Sequence, residues 1–121
     1  MSADSKKQRY SWDDFEKDVP KLIRKIKKLR KRFDGIYGIP RGGLSIAVKL
    51  SHELNLPILV GGVTAKTLLV DDVADSGSTL LPYTNRKATI VTIFYKPWSK
   101  VKPDIWLRET KKHVIFPWEK N

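Results

Sequence analysis

The feature that most constrains the fold of this chain is the segment 68–73, which is almost wholly apolar until it reaches two acids. A run this apolar predicts a β-strand that is covered on both faces, as the strands of a parallel sheet are. Further short strands are predicted at residues 35–39, 58–60, 88–95 and 105–107. Because helical patterns alternate with these strands, the sequence predicts an α/β domain with a central, mostly parallel sheet flanked by helices.

Three segments have the pattern of helices. Apolar residues recur at spacings of three and four over residues 12–33, which predicts an amphipathic helix with one buried face. Ser11 and Asp14 resemble a capping box at its start, and Pro20 inside the pattern predicts a kink or two short helices. The two other helices are predicted over residues 44–54 and around residues 78–84.

The length and composition favour one globular domain. The 121 residues predict a single domain at residues 11–121, with residues 1–10 as an N-terminal tail whose order stays open. The absence of Cys excludes disulfides and thiolate metal sites, and two His residues are too few for a His-rich metal cluster. No apolar run approaches the roughly 18 residues of a membrane span, and the N-terminus lacks the apolar core of a signal peptide. A cytoplasmic protein without a membrane partner is therefore expected.

The net charge is unusual. Lys and Arg together number 24 against 13 acids, which gives a net charge of +11, and much of it lies in residues 17–32. There the basic residues alternate with an apolar stripe, so the favoured interpretation is the solvated face of a helix. A field that attracts a polyanionic small molecule comes next. A nucleic-acid partner is less favoured, because aromatic residues are not interleaved with the basic ones as a stacking surface requires.

The strongest chemical signal is the segment 70–79, VDDVADSGST, which joins a strand to a helix through a turn. Asp71 and Asp72 lie at the carboxyl end of the strand, where α/β sheets bind their ligands. In the turn that follows, a glycine lets the backbone approach a ligand closely, and helix-opening amides and small hydroxyls bind phosphate. Acceptors for hydroxyls or a metal thus lie beside donors for a phosphate, as a ribose 5-phosphate requires. The alternative for any one residue is an acidic turn with a helix cap.

This segment resembles the signature of the type I phosphoribosyltransferases: two acids flanked by apolar residues, a third acid three residues later, a small residue, Gly, any residue and Thr. The segment 38–43, GIPRGG, is similar to the pyrophosphate-binding loop of the same family. Residues 91–97, VTIFYKP, and residues 116–119, FPWE, resemble the bacterial and archaeal xanthine-guanine branch. The resemblance covers nearly the whole chain.

The resemblance implies a role for each acid of the segment. Asp71 and Asp72 would hold the ribose hydroxyls of 5-phosphoribosyl 1-pyrophosphate, directly or through Mg²⁺. Asp75 would face the imidazole nitrogen of a purine and act as the catalytic general acid or base. The turn implied to bind the 5-phosphate comprises Asp75, Ser76, Gly77, Ser78 and Thr79.

Residues outside this segment would hold the leaving group and the base. The residues implied to bind pyrophosphate are Arg41, Gly42 and Gly43. Lys96, at a strand end directly before a proline, would donate to the 6-oxo group of the purine. His113 stands where the branch has an aromatic residue, usually Trp, that stacks on the base, and the backbone near Val114 would contact the base edge. Trp118 would either line the pocket or fill the core.

The resemblance thus implies a purine phosphoribosyltransferase that uses Mg²⁺ to join the phosphoribosyl group to guanine, xanthine or hypoxanthine, and that assembles as a homodimer or homotetramer. One departure concerns the flexible loop that normally closes over the substrate, because only residues 61–67 lie between the second and third predicted strands. So short a segment cannot form a lid that excludes water. The alternatives left open are a ligand-sensing regulator of the same fold that binds RNA or DNA, and a nucleotide-binding subunit without catalysis.

Overall fold

The computed structural model describes residues 6–119. In chain order its elements are β1 (Lys7–Arg9), α1 (Trp12–Lys28), β2 (Gly35–Gly38), α2 (Leu44–Leu54), β3 (Thr67–Ala74), α3 (Leu81–Thr84), β4 (Thr89–Tyr95), β5 (Arg108–Glu109) and β6 (His113–Ile115). A four-stranded sheet has the order β2-β3-β4-β5, and a two-stranded sheet pairs β1 with β6. Each of these strand pairs is parallel. The structure therefore confirms the predicted α/β fold.

Strand β3 lies inside the larger sheet and is covered on both faces, as its apolar run predicts. Leu68 and Val70 belong to the core that also contains the buried residues of α1 and α2, whereas Leu69 packs into a second core. All three residues are 0% exposed. Because successive side chains of a strand point to opposite faces, β3 packs against one core on each face of the sheet. The acids that follow are therefore carried by a rigid strand.

Helix α1 begins with the predicted capping box and continues through Pro20. The Asp14 amide donates to the Ser11 hydroxyl at 3.0 Å, and the Ser11 amide donates to the Asp14 carboxylate at 2.9 Å. One helix is formed rather than two short ones. Pro20 is exposed, and Val19 and Leu22 on either side of it are 3% and 0% exposed. Burial of the apolar face on both sides of Pro20 outweighs the roughly 3 kcal/mol that an interior proline costs.

The basic residues of the segment 17–32 are all exposed, in agreement with the solvated helix face expected from the sequence. Several of them line an open cavity of about 520 Å³ beside β5, together with Asp18 and Arg108. Within residues 6–119, no helix is both long and apolar enough to cross a membrane.

A buried carboxylate ties α1 to the edge of the larger sheet. Asp18 is 1% exposed and accepts hydrogen bonds from the Tyr10 hydroxyl at 2.7 Å and from Arg108 Nε and Nη2 at 2.9 and 3.1 Å. Burial, followed by the hydrogen bond to Asp18, raises the pKa of Tyr10 above its ordinary value. This cluster satisfies a charge that would otherwise be costly in the core.

The predicted strand at residues 58–60 is wrong. Only Ile58 pairs with β2, as a single bridge to Ile36, and the Leu59 amide donates to the Ile36 carbonyl at 2.7 Å. Val60 is 100% exposed. The chain leaves the sheet after one bridge, and the side chain of Val60 makes no packing contact that would extend the strand.

Other elements also differ from the sequence prediction. Helix α1 ends at Lys28 rather than continuing to residue 33. The run at residues 105–107 forms one bridge, from Ile105 to Val91, and the short edge strand β5 follows it. Helix α3 begins at Leu81 rather than at residue 78, because residues 78–80 form a turn. Strand β1 lies within the segment predicted as an N-terminal tail, where pairing with β6 orders it. The part of the tail at residues 1–5 lies outside the described residues.

The connection from Ile58 to β3 is short and is partly folded onto the domain. Val63 is 6% exposed and belongs to the second core. The Thr64 amide donates to the Thr67 hydroxyl at 2.9 Å, which fixes the end of the connection against β3. The structure therefore has the shortened loop that the sequence predicts.

Candidate functional site

The two predicted substrate-binding segments lie side by side at the carboxyl edge of the larger sheet. Strands β2 and β3 are neighbours, with Gly38 opposite Val70. The Ile39 amide donates to the Val70 carbonyl at 2.9 Å, so the loop that follows β2 lies against the acids near the end of β3. This is the edge at which ligands bind in open α/β sheets.

Asp71 and Asp72 are adjacent carboxylates in unequal environments. Asp71 is 8% exposed and accepts a hydrogen bond of 2.9 Å from the Asp72 amide. Burial, followed by the charge of Asp72, raises the pKa of Asp71 to about 8. Asp72 is half-buried, and its two oxygens accept from the Val73 amide at 2.8 Å and from Trp118 Nε1 at 3.4 Å. A bound cation or hydroxyl donor would relieve the repulsion between the two carboxylates.

Two cavities open beside these acids. The first, of about 210 Å³, is lined by Asp71, Asp72, Val73, Ala74, Asp75, Ser76, Gly77, Thr79 and Leu80. The second, of about 610 Å³, is lined by Arg41, Gly42, Leu44, Ser45, Asp72, Trp118 and Glu119. Because Asp72 lines both, the cavities adjoin at this carboxylate. The two segments singled out in the sequence therefore line neighbouring cavities at one edge of the sheet.

The loop after β2 approaches Asp72 so closely that only glycine fits. A β-carbon on Gly42 would collide with the Asp72 carboxylate, and a β-carbon on Gly43 would lie 2.7 Å from the Ile39 amide nitrogen. The Gly43 amide donates to the Ile39 carbonyl at 2.8 Å and closes the loop. Arg41 is exposed beside these glycines, so its guanidinium can reach a ligand in the larger cavity.

The turn after β3 is anchored by the loop that follows β4. Gly77 has a φ of 87°, and a β-carbon there would lie 2.7 Å from the Val101 amide nitrogen. The Lys100 amide donates to the Ser76 carbonyl at 2.9 Å, and the Ser78 amide donates to the Ser76 hydroxyl at 3.2 Å. The serine and threonine residues of the turn are exposed. They can therefore donate to an anion without first leaving the core.

Lys96 and Asp75 follow neighbouring strands, and a residue that the sequence analysis missed connects them. Lys96 is 5% exposed, and its amide donates to the Ala74 carbonyl at 3.0 Å. Its Nζ lies 5.2 Å from the centroid of the Trp98 ring. Trp98 Nε1 in turn donates to Asp75 Oδ1 at 3.0 Å. The sequence feature that could have indicated a role for Trp98 is its position two residues after Lys96, in the loop at residues 96–103.

Two residues predicted to contact the base, His113 by stacking and Val114 through its backbone, lie outside these two cavities. His113 is exposed on β6, Val114 is 4% exposed in the main core, and neither is among the residues that line the cavities. Trp118 packs against the core, where it stacks on Phe116 with ring centroids 5.0 Å apart, and it also lines the larger cavity beside Arg41. The roles of His113 and Val114 stay predictions.

Known proteins are similar to this chain over most of its length, although no family model matches it. A xanthine-guanine phosphoribosyltransferase from Chromohalobacter salexigens is 31% identical over 150 residues, which covers 98% of this chain and 89% of that protein. The crystal structure of a purine phosphoribosyltransferase from Pyrococcus horikoshii has a TM-score of 0.84 and 28% identity, and 96% of each chain is covered. A xanthine-guanine-hypoxanthine phosphoribosyltransferase from Helicobacter pylori has a TM-score of 0.81 at 21% identity, with 93% of this chain and 91% of that chain covered.

These structures assign the fold to the phosphoribosyltransferases. The chain belongs to the type I phosphoribosyltransferase family, in the group that contains the xanthine-guanine phosphoribosyltransferases, because a relative at 31% identity matches nearly all of it. It is therefore an enzyme of the glycosyltransferase class that transfers a pentosyl group. The P. horikoshii chain is covered to the same extent as this one, so this fold is also formed by a second chain of similar length.

Proposed function

We propose that the protein transfers the phosphoribosyl group of 5-phosphoribosyl 1-pyrophosphate to a 6-oxopurine, namely guanine, xanthine or hypoxanthine. The products are the nucleoside monophosphate and pyrophosphate. The observation that carries this proposal is the junction of two cavities at Asp72, with the phosphate-binding turn on one side and Arg41 on the other. A substrate with a 5-phosphate at one end and a pyrophosphate at the other fits such a junction.

In this arrangement the chain holds three parts of the first substrate. The turn at residues 75–79 binds the 5-phosphate through backbone amides and hydroxyls. Asp71 and Asp72 accept from the ribose hydroxyls. Arg41, with the amides of the adjacent glycines, binds pyrophosphate, and the absence of side chains at those glycines lets the phosphates approach the backbone.

The donor set suits Mg²⁺ as the cofactor. Within residues 6–119 no group of three or more His, Cys, Asp or Glu side chains could hold a metal by itself. The adjacent pair Asp71 and Asp72 would supply the carboxylates of the protein. Mg²⁺ is commonly bound in this way, through one or two carboxylates together with substrate phosphates and water. When bound, it would supply positive charge to the pyrophosphate as that group leaves.

The remaining chemistry belongs to residues of the chain. The purine nitrogen attacks the anomeric carbon while the bond from that carbon to pyrophosphate breaks, through a state that resembles an oxocarbenium ion. Arg41 stabilises the negative charge that develops on the leaving group, and this stabilisation lowers the barrier because it is strongest in the transition state. Asp75 faces the imidazole nitrogen of the purine and accepts or returns its proton.

Base selection is assigned to Lys96. Its ammonium group donates to the 6-oxo oxygen of the purine, whereas the amino group of adenine would leave the cation without an acceptor. A nearly buried cation makes this mismatch costly. His113 stacking on the base and a backbone contact near Val114 complete the proposed base site.

A coupled assay that measures pyrophosphate release with each purine base tests the function. Asp75→Asn should lower kcat by about 100-fold, because it removes the general acid or base. The matched control is Asp13→Asn, an exposed carboxylate paired with Lys17 at 3.0 Å on the first turn of α1, which should leave kcat unchanged. The absence of turnover with all three 6-oxopurines would contradict the proposal.

The partners and location are part of the same proposal. We expect a homodimer or homotetramer, which light scattering can measure, and a cytoplasmic location. The comparisons give no support to a regulator or nucleic-acid-binding protein without catalysis.

A further inference from the structure

Trp98 is a large side chain at the surface whose indole contacts two residues of the proposed base site. The residue is 53% exposed. Its Nε1 donates to Asp75 Oδ1 at 3.0 Å, and the Lys96 ammonium lies 5.2 Å from its ring centroid. A cation over the face of an indole is attracted by the ring. One side chain therefore contacts both groups that are proposed to read the purine.

The backbone that carries Trp98 is held in place. The Ser99 amide donates to the Lys96 carbonyl at 3.0 Å, which forms a tight turn around Trp98, and the Lys100 amide donates to the Ser76 carbonyl at 2.9 Å. The Ser99 hydroxyl donates to the Val101 carbonyl at 2.7 Å. These bonds tie the loop to the phosphate-binding turn, so the indole is held from its own backbone as well as through its contacts.

The indole also contacts two opposite charges, the Lys96 ammonium near its ring and the Asp75 carboxylate at its Nε1. Within residues 6–119 the structure has no ion pair between Lys96 and Asp75, although both contact the same ring. A direct pair would occupy the ammonium and the carboxylate with each other. Because each of them contacts the indole instead, Asp75 keeps its second oxygen available and Lys96 keeps its ammonium protons available for the base.

We propose that Trp98 is a positioning residue that holds Asp75 and Lys96 in place for the purine. This inference rests on the proposed function of the site. Trp98 is anchored in the loop after β4, so it can organise the base site without the short connection that precedes β3. Trp98 acts through Asp75 and Lys96, and it takes no proton in the reaction.

Two variants separate the two contacts. Trp98→Phe keeps a ring beside the ammonium and removes the donor to Asp75, so it should lower kcat about tenfold, as expected for a hydrogen bond to a charged group, with little change in the KM for the base. Trp98→Leu removes both contacts and should in addition raise that KM. In an Asp75→Asn background, Trp98→Phe should have no further effect on kcat.

The chain provides a matched control in Trp106. Its ring centroid lies 5.1 Å from the Lys102 ammonium, which is nearly the same cation–ring distance outside the proposed site. Trp106→Phe and Trp106→Leu should leave kcat and KM at the wild-type values. Thermal unfolding of all four variants shows whether each is folded at the assay temperature.

The outcomes distinguish this inference from the proposed function. If the wild type is active and Trp98→Phe is equally active, the proposed role of Trp98 is wrong and the proposed function stands. The same holds if the loss of kcat in Trp98→Phe adds in full to the loss in Asp75→Asn. A wild type without turnover contradicts the proposed function, and calorimetry with guanosine monophosphate then tests Trp98. Trp98→Leu should weaken that binding about tenfold and Trp106→Leu should not. Equal affinities, or no binding by the wild type, overturn the inference.

Discussion

Replacing Asp71 by asparagine should stabilise the substrate-free protein at neutral pH, although it removes a residue of the proposed site. The Asp71 carboxyl is 8% exposed. Two causes raise its pKa from 3.8 to about 8: burial is the larger, and the charge of the neighbouring Asp72 comes next. In the unfolded chain the same carboxyl is solvated and loses its proton at a much lower pH. The folded state therefore binds one more proton than the unfolded state between these two values.

The sign follows from this difference in bound protons. Below the unfolded pKa both states are protonated and the carboxyl has no pH-dependent cost. Between that value and the folded pKa, the free energy of unfolding falls as pH rises, by at most about 1.4 kcal/mol per pH unit. From about pH 5 to about pH 7 the wild type should lose up to about 3 kcal/mol from this group. Asp71→Asn lacks the titrating carboxyl, so its advantage over the wild type should grow by that amount.

Urea unfolding with EDTA and without substrate, at several pH values over this range, measures the effect. Asp13→Asn, at an exposed carboxylate, is the control and should follow the wild type. Asp72→Asn removes the neighbouring charge but not the burial of Asp71, so it should reduce the pH-dependent loss only in part. Parallel pH curves for the wild type and Asp71→Asn would refute the reasoning, because the buried carboxyl would then be no more costly folded than unfolded.

Two further predictions test the loop after β2 and the edge of the core. Gly42→Ala places a β-carbon against the carboxylate that joins the two cavities, and should weaken binding of 5-phosphoribosyl 1-pyrophosphate in calorimetry by about tenfold. Gly61→Ala, where a β-carbon has nothing within 4 Å, should bind as the wild type does; equal losses in both variants would contradict the steric argument. Asp18→Asn weakens the group that accepts two hydrogen bonds from Arg108. It should lower the free energy of unfolding, measured in urea, by about 2–3 kcal/mol. This is less than for a fully buried pair, because the Arg108 side chain is 39% exposed. An unchanged midpoint would show that the pair does not stabilise the fold.

The elements that the sequence predicted well are those with a strong local cause. The segment 44–54 forms a helix with the predicted bounds, because its apolar spacing is helical and Asn55 ends it with a left-handed φ of 54°. The capping box at Ser11 also forms as predicted, since both partners are three residues apart. The edge strands were less predictable. Residues 58–60 have strand composition, yet pairing depends on neighbours that are distant in the chain.

The sequence by itself determined the class of fold and the position of the two segments that are proposed to bind substrate. An apolar strand that ends in acids, followed by a glycine turn, restricts the local backbone, and such restrictions are readable from neighbouring residues. Only the tertiary structure decided that Pro20 remains inside one helix, that the two cavities share Asp72, and that Trp98 contacts Asp75 across 23 residues of chain. Each of these depends on how elements far apart in sequence pack together, and burial and hydrogen bonding between such elements leave no periodic pattern in the residues themselves.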